Sequence, residues 1–163
     1  MKMEFKNHAS FDSFSDDDFS QLAELFNEFN GDHESPLDVR DEQRLAFENE
    51  HNRGILTASE GKTMLGLAAY HYERALGAIS VDLLTVRENF QRSSLRVGSE
   101  LLSETEKEGI KFGAKMAELE PVASAVHFYK KQGYASDYIV PDFMRKALDP
   151  NNSPSEWFSR KMK

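Results

Sequence analysis

The stretch from Ser80 to Gly98 carries residues whose types and order could bind an anion. It reads SVDLLTVRENFQRSSLRVG, which predicts a buried strand, a polar loop and the first turn of a helix. The backbone N–H groups of such a loop, together with the positive end of the helix dipole, can hold phosphate groups. We therefore expect a phosphate-bearing cofactor to bind at this stretch.

The composition is that of a globular protein without thiol chemistry. The chain has 163 residues, of which 39% are hydrophobic and 29% charged, and this length suits one domain with a full core. It contains no cysteine, which excludes disulfides, thiolate metal sites and a cysteine nucleophile. The net charge of −8 argues against a nucleic-acid binder. It is compatible with a cationic amine substrate, although acidic surfaces also serve solubility alone.

Several other sites and signals are missing from the sequence. No apolar run approaches a membrane span, and the start MKMEFKNHAS lacks the apolar segment of a signal peptide. We therefore expect a cytoplasmic protein that does not bind membranes. The five histidines have no second ligand at helical or hairpin spacing, so we predict no metal site. Phosphate-loop lysine and Gly-x-Ser-x-Gly motifs do not occur.

Hydrophobic periodicity and turn residues predict a chain of strands and helices. Ser15 is expected to cap the first helix, whose Phe19, Leu22, Phe26 and Phe29 face the core. The helix between the strands at 79–86 and 115–119 makes one crossover in a sheet that is otherwise antiparallel. We therefore predict an α/β fold, a single domain over 1–148 with a mixed, mostly antiparallel sheet flanked by helices. The predicted strands are 3–7, 54–59, 63–72, 79–86, 115–119, 134–140 and 143–148, and the predicted helices begin near Ser15, Pro36, Val97 and Ala123.

The C-terminal tail, residues 149–163, begins with the linker-like sequence DPNNSP. A short helix is predicted after Pro154, and it carries the adjacent aromatics Trp157 and Phe158. Two aromatic side chains on a tail need an apolar surface to cover. Either the same subunit or the partner in a homodimer could supply that surface.

Three segments together resemble the GNAT family of acetyl-CoA-dependent N-acetyltransferases. Leu84-Thr85-Val86 fits the end of the family's central strand, and Val97-Gly98-Ser99 with the following leucines fits its helix start. Residues 125–134, AVHFYKKQGY, fit the family pattern A-x-x-F-Y-x-x-x-G-F/Y. The resemblance spans about 63–148 and implies a GNAT-like fold, acetyl-CoA as acetyl donor and an amine of a small molecule or peptide as acceptor.

The sequence departs from the family pattern near the cofactor loop. Arg96 occupies the place of the first glycine, and the segment 86–98 is longer than in the family, which leaves the register of 91–95 open. A side chain at a glycine position can block the approach of a pyrophosphate, but Arg92 and Arg96 add charge that can contact phosphates directly. Val122 stands where the family often has an asparagine, with Ser124 as the nearest polar residue.

The resemblance also implies where the cofactor lies. The backbone at 84–86 would pair with the pantetheine arm as though the cofactor were an added strand, and an N–H group there could polarise the thioester. The cofactor-binding residues expected on this basis are Leu84, Thr85, Val86, Gln91, Arg92, Arg96, Val97, Gly98, Ser99, Ser124 and Phe128.

Tyr129 is the expected proton donor, because the family commonly places a tyrosine near the thioester sulfur at this position. A phenol with a reference pKa of about 10 can protonate a departing thiolate. The alternative is that Tyr129 only packs on a helix face beside Phe128. His127 is adjacent in sequence but is expected to be a surface residue.

Asp82 is the expected general base. It is the one charged residue inside an otherwise apolar and small strand, where burial would raise its pKa toward a useful value. Glu73 and Glu120 are weaker alternatives. Asp82 could also be a hydrogen-bonded structural residue, with the amine losing its proton to water.

The acceptor site is expected between the first two helices, by analogy with the family. Asp32, His33, Glu34 and Asp38 are candidates for amine recognition there, and a solvated loop is the alternative for each. We expect direct transfer of an acetyl group from acetyl-CoA to an amine. The competing hypothesis is a GNAT-like module that has lost catalysis and binds acyl-CoA or a partner protein.

Overall fold

The structure, a computed structural model, describes residues 2–9, 14–30, 52–87, 96–136 and 142–148, with the side chains of Phe29 and Asn30 left out. Within these residues seven strands and three α-helices follow one another, with one 3₁₀ turn. The elements are β1 (Glu4–His8), α1 (Asp16–Asn30), β2 (Arg53–Glu60), β3 (Thr63–Glu73), β4 (Ala78–Val86), α2 (Val97–Phe112), β5 (Met116–Leu119), a 3₁₀ turn (Ala123–Ala125), α3 (Val126–Lys131), β6 (Ala135–Ser136) and β7 (Met144–Ala147).

The strands form one mixed sheet in the order β1-β2-β3-β4-β5-β7-β6. The β4–β5 pair is parallel, whereas β1–β2, β2–β3, β5–β7 and β6–β7 are antiparallel. The predicted fold class, with one crossover through α2, is therefore confirmed. The last strand, β7, has four residues and is shorter than the predicted 143–148, whereas residues 137–140 of the strand predicted over 134–140 lie outside the described part of the chain.

The chain divides into two compact units, each of which is described by itself. The first unit comprises Met1–His71 and Leu83–Thr105, and the second comprises Tyr72–Asp82 and Glu106–Lys163. The division cuts through β3, β4 and α2. The predicted single domain over 1–148 stays a prediction.

In the first unit, α1 buries an aromatic face against β2 and β3. The helix begins as predicted, because the Ser15 hydroxyl accepts a hydrogen bond from the backbone N–H of Asp18 at 3.1 Å. Phe19, Leu22 and Phe26 are buried, as the helical spacing predicts. They share one core cluster with Phe14, Ala23, Leu25, Ile55, Met64 and Leu67.

In the second unit, α2 comes close to β4 through a glycine. A Cβ atom built on Gly109 would lie 2.7 Å from Cγ2 of Ile79, so only glycine permits this approach without a shift. The helix ends at Gly113, whose φ of 93° is the left-handed conformation of a C-terminal cap. From there β5 pairs with β4 in the register Ala78↔Met116 to Val81↔Leu119.

Candidate active site

The end of β4 lies in the first unit and is held on one side by β3. The backbone N–H of Arg87 donates to the carbonyl oxygen of Leu65 at 2.8 Å. Because backbone groups alternate along a strand, Thr85 also faces β3, and the backbone groups of Leu84 and Val86 face the opposite side. Within the described residues the β4–β5 register stops at Val81, although β4 continues to Val86. The pairing of the pantetheine arm with residues 84–86 stays a prediction. Thr85 is buried, and its backbone groups face β3 and not the opposite side.

The start of α2, where the sequence predicts an anion site, also lies in the first unit. Arg96 has a φ of 51°, a left-handed conformation that L-residues other than glycine seldom adopt. Its carbonyl oxygen accepts the N–H of Glu100 at 3.1 Å, which makes Arg96 the N-cap of the helix. Glycine, which the family pattern has at this place, adopts this conformation readily, and Arg96 adopts it here. Its side chain is exposed, and Gly98 and Ser99 are partly exposed.

Gly66 on β3 sets how closely α2 and β4 approach. A Cβ atom built there would lie 2.7 Å from the carbonyl oxygen of Thr85 and 2.9 Å from Cδ1 of Leu101. A side chain at this position would therefore force its neighbours to shift, so glycine permits the close approach. Gly66 therefore lets the end of β4 and the first turns of α2 lie close to β3.

Arg87 anchors β4 at the point where the loop begins, a role that the sequence analysis missed. Its guanidinium donates through Nε to the carbonyl oxygen of Met64 and binds the Glu24 carboxylate at 2.9 Å through Nη1. Nη2 lies 3.3 Å from the side-chain oxygen of Gln21, which also accepts the Met64 N–H at 2.7 Å. The sequence signal for this contact is the spacing of Gln21 and Glu24 on one helix, and that spacing is also typical of an ordinary polar helix face.

Tyr129 lies in the second unit, on α3, between two aromatic rings. The ring centroids of Phe128 and Tyr134 lie 5.1 Å and 5.8 Å away, both in edge-on geometry. Only 8% of Tyr129 is exposed, and burial raises its pKa to about 12. The phenol is therefore protonated at every ordinary pH, which is the form a proton donor needs. Tyr129 also packs beside Phe128, which was the alternative interpretation of this residue.

The other predicted residues of the second unit lie at the surface. Asp82 is exposed, so the prediction that it is buried is wrong; its face of β4 is the less covered one, with Ser80, Leu84 and Val86 only half-buried. Ser124 is exposed, Phe128 is half-buried, and His127 is exposed as expected. Of the alternative bases, Glu120 is exposed and Glu73 is half-buried.

The described candidates are thus divided between the units. The first unit contains Leu84, Thr85, Val86, Arg96, Val97, Gly98 and Ser99. The second unit contains Asp82, Ser124, Phe128 and Tyr129. Several predictions lie outside the described residues: Gln91, Arg92, the acceptor candidates Asp32, His33, Glu34 and Asp38, the helix from Pro36, and the tail with Trp157 and Phe158.

A small cleft in the first unit is separate from these candidates. Its lining includes Lys6, His8, Asp18, Thr57 and Lys62, none of which is a predicted cofactor residue. His8 stacks on Phe14 with centroids 3.9 Å apart, and burial lowers the pKa of its imidazole. The cleft joins β1, β2 and the start of α1 and has no feature of an acetyl-transfer site.

The described part of the chain also bears on metal sites and membrane-spanning helices. No group of three or more His, Asp or Glu side chains is placed there to hold a metal ion. None of the helices it contains has the length and apolar character that a membrane crossing requires.

Comparisons with known proteins agree with the motifs and the fold. The Acetyltransferase (GNAT) family matches residues 19–134, more than half of the chain. No curated protein sequence matches.

Solved structures with the same fold include three acetyltransferases. The paiA N-acetyltransferase from Thermoplasma acidophilum, in complex with coenzyme A, has 17% identity and a TM-score of 0.64, covering 90% of this chain and 99% of its own. An acetyltransferase of the GNAT family from Staphylococcus aureus has 14% identity and a TM-score of 0.64, with 91% and 100% covered. Nourseothricin acetyltransferase has 18% identity and a TM-score of 0.52, and the match covers 60% of this chain and 66% of that enzyme. The chain belongs to the acetyltransferase (GNAT) family.

Proposed function

We propose that this acetyltransferase transfers an acetyl group from acetyl-CoA directly to a primary amine. The observation that carries the proposal is the left-handed Arg96 at the start of α2, directly after the end of β4 and its loop. As at any helix start, the N–H groups of Val97, Gly98 and Ser99 have no partners inside the helix, and such groups can bind an anion. Arg96 adds a cation at the same point.

The proposed cofactor contacts combine backbone and charge. The backbone groups of Leu84 and Val86 would pair with the pantetheine amides, and the helix start would hold the pyrophosphate. Arg96, with Gln91 and Arg92 from the loop, would contact the phosphates. Ser124 and Phe128 complete the proposed set. Acetyl-CoA supplies a thioester whose carbonyl carbon is the electrophile.

The proposed chemistry needs one proton donor and one proton acceptor. The amine nitrogen bonds to the carbonyl carbon, the carbon–sulfur bond breaks, and Tyr129 gives its phenolic proton to the sulfur. The amine loses a proton to water or to Asp82, whose exposed position makes water-mediated transfer the simpler route. Because the chain has no cysteine, no step runs through a cysteinyl acyl-enzyme.

The acceptor is proposed only by class. A net charge of −8 favours a cationic amine, and a polyamine, an amino acid, an antibiotic amine and a protein N-terminus are the acceptors to screen. A cytoplasmic location and a dimer contact through Trp157 and Phe158 stay predictions from the sequence.

The role of Tyr129 is tested by the change Tyr129→Phe. We expect kcat to fall about 10²-fold with the acetyl-CoA affinity unchanged, because general acid catalysis is typically of this size. Thiol release from acetyl-CoA measures kcat without background, since the protein has no thiol of its own. Tyr72→Phe is the matched control, because it removes a hydroxyl from a ring that stacks on Phe112. Unchanged kcat in Tyr129→Phe would remove this residue from the mechanism.

The cofactor site is tested by two changes at Arg96, with the acetyl-CoA affinity measured by calorimetry. Arg96→Gly removes the cation and keeps a residue suited to the left-handed backbone, whereas Arg96→Ala removes the cation and keeps the strain. If the charge contacts phosphate, both variants should bind acetyl-CoA more weakly, by about tenfold. Unchanged affinity in both would show that the phosphates lie elsewhere. Binding of acetyl-CoA by the wild type without transfer to any amine would favour the binding module.

A further inference from the structure

A buried polar chain in the second unit ends at the ring that flanks Tyr129. The Tyr134 hydroxyl donates to Oε2 of Glu106 at 2.9 Å, and Nζ of Lys146 donates to Oε1 of the same carboxylate at 2.8 Å. Both carboxylate oxygens are therefore used. The chain joins α2, the segment after α3, and β7.

Tyr134 is fixed at both of its ends. Its backbone N–H donates to the carbonyl oxygen of Tyr129 at 3.0 Å, across a turn in which Gly133 has a φ of 95°. Its hydroxyl is fixed by Glu106, and Lys146 Nζ lies 5.9 Å from its ring centroid. The edge-on contact with the Tyr129 ring, at 5.8 Å between centroids, is therefore held from two directions.

The polar chain is costly to bury, which argues that it does more than fill space. Glu106 and Tyr134 are both buried, and a buried carboxylate is tolerated only when its oxygens are hydrogen-bonded and its charge is paired. A phenylalanine at position 134 and an apolar residue at position 106 would fill the same volume without that requirement. Burial and the Glu106 charge also raise the pKa of Tyr134, so its hydroxyl stays a donor.

We propose that Tyr134 and Glu106 are positioning residues that hold the Tyr129 phenol for proton donation, with Lys146 neutralising Glu106. The proposal rests on the proposed function, in which Tyr129 protonates the leaving thiolate. Glu106 and Tyr134 do not contact the reacting atoms in this proposal. They act by restricting the Tyr129 ring.

The test is a double-mutant cycle on kcat, with thiol release measured for the best amine of the acceptor screen. Tyr134→Phe keeps the ring and removes its bond to Glu106, and we expect kcat to fall about tenfold, since small misplacements of a catalytic group are costly. The Michaelis constant for acetyl-CoA should not change. In the Tyr129→Phe background the same change should have no further effect on kcat, because its target is already absent.

Two further variants separate positioning from general destabilisation. Glu106→Gln keeps an oxygen for the Tyr134 hydroxyl and should retain more activity than Tyr134→Phe. Thr105→Val removes a buried hydrogen bond from the neighbouring residue of α2, the 2.8 Å bond to the Leu101 carbonyl, and should leave kcat unchanged. Thermal unfolding of each variant confirms that the assays measure folded protein.

The outcomes distinguish the two proposals. A wild type that transfers acetyl to no amine, or an unchanged kcat in Tyr129→Phe, would overturn the proposed function. If Tyr129→Phe is impaired but Tyr134→Phe lowers kcat equally in both backgrounds, the positioning role is wrong and the proposed function stands. An unchanged kcat in Tyr134→Phe would overturn the positioning role in the same way.

Discussion

Two arginines form ion pairs of nearly equal length in opposite surroundings. In the first unit, Arg87 binds Glu24 at 2.9 Å, with side chains that are 20% and 61% exposed. In the second unit, Arg145 binds Glu118 at 3.0 Å, with side chains that are 6% and 9% exposed. The distance does not decide how much each pair contributes to stability. Water stabilises the exposed carboxylate if its partner is lost, whereas the buried ions are surrounded by protein. The exposed pair joins the residue after β4 to α1, and the buried pair joins β5 to β7.

The largest effect is expected when the buried pair loses one partner. Glu118→Ala should lower the free energy of unfolding by about 3–5 kcal/mol, because it removes the carboxylate that pairs with the buried Arg145 guanidinium. Urea denaturation followed by circular dichroism measures the change. The double variant Glu118→Leu with Arg145→Met is the control, and it should be more stable than Glu118→Ala. A double variant that is no more stable would show that the lost packing, and not the lost ion pair, causes the effect.

An intermediate effect is expected at two glycines, Gly66 on β3 and Gly109 within α2. Gly66→Ala and Gly109→Ala should each cost about 1–3 kcal/mol of stability, because the new methyl group overlaps with its surroundings in both units. Only Gly66→Ala should also weaken acetyl-CoA binding, since its clash is with the backbone of Thr85 and with Leu101. Calorimetric titration of both variants measures the difference. If acetyl-CoA binding is weakened equally in both variants, the close approach at Gly66 has no special role in the proposed site.

The smallest effect is expected at the exposed pair. Glu24→Gln should change the free energy of unfolding by less than about 1 kcal/mol, because the carboxylate is mostly in water. The difference between this variant and the wild type should shrink as salt is raised, since ions screen an exposed pair. Urea denaturation at low and high salt is the measurement. A loss comparable to that in Glu118→Ala would contradict the comparison of the two pairs.

The order and type of the elements could be predicted from the sequence because they depend on local patterns. The helix over 97–112 is confirmed at both ends, and the cap at Ser15 follows from the residue type at a helix start. The turn at Gly61 has the positive φ, 60°, that glycine permits. Each of these features is decided by residues within a few positions of one another.

The parts that were missed depend on residues far apart in the chain. Glu106 and Tyr134 are separated by 28 positions, and Arg87 and Glu24 by 63, so no local pattern indicates either contact. The burial predicted for Asp82 failed because it was inferred from apolar neighbours in the same strand. Burial depends on what covers that face of the sheet, which the strand sequence alone does not specify.

The sheet order places β1 at one edge and β6 at the other. An unpaired strand edge can act as a template on which another chain adds a strand and begins to aggregate. In β1, Glu4 and Lys6 are exposed, so an approaching strand would have to accommodate charges of both signs along a short segment. The edge at β1 therefore discourages fibre growth by strand addition through its charges.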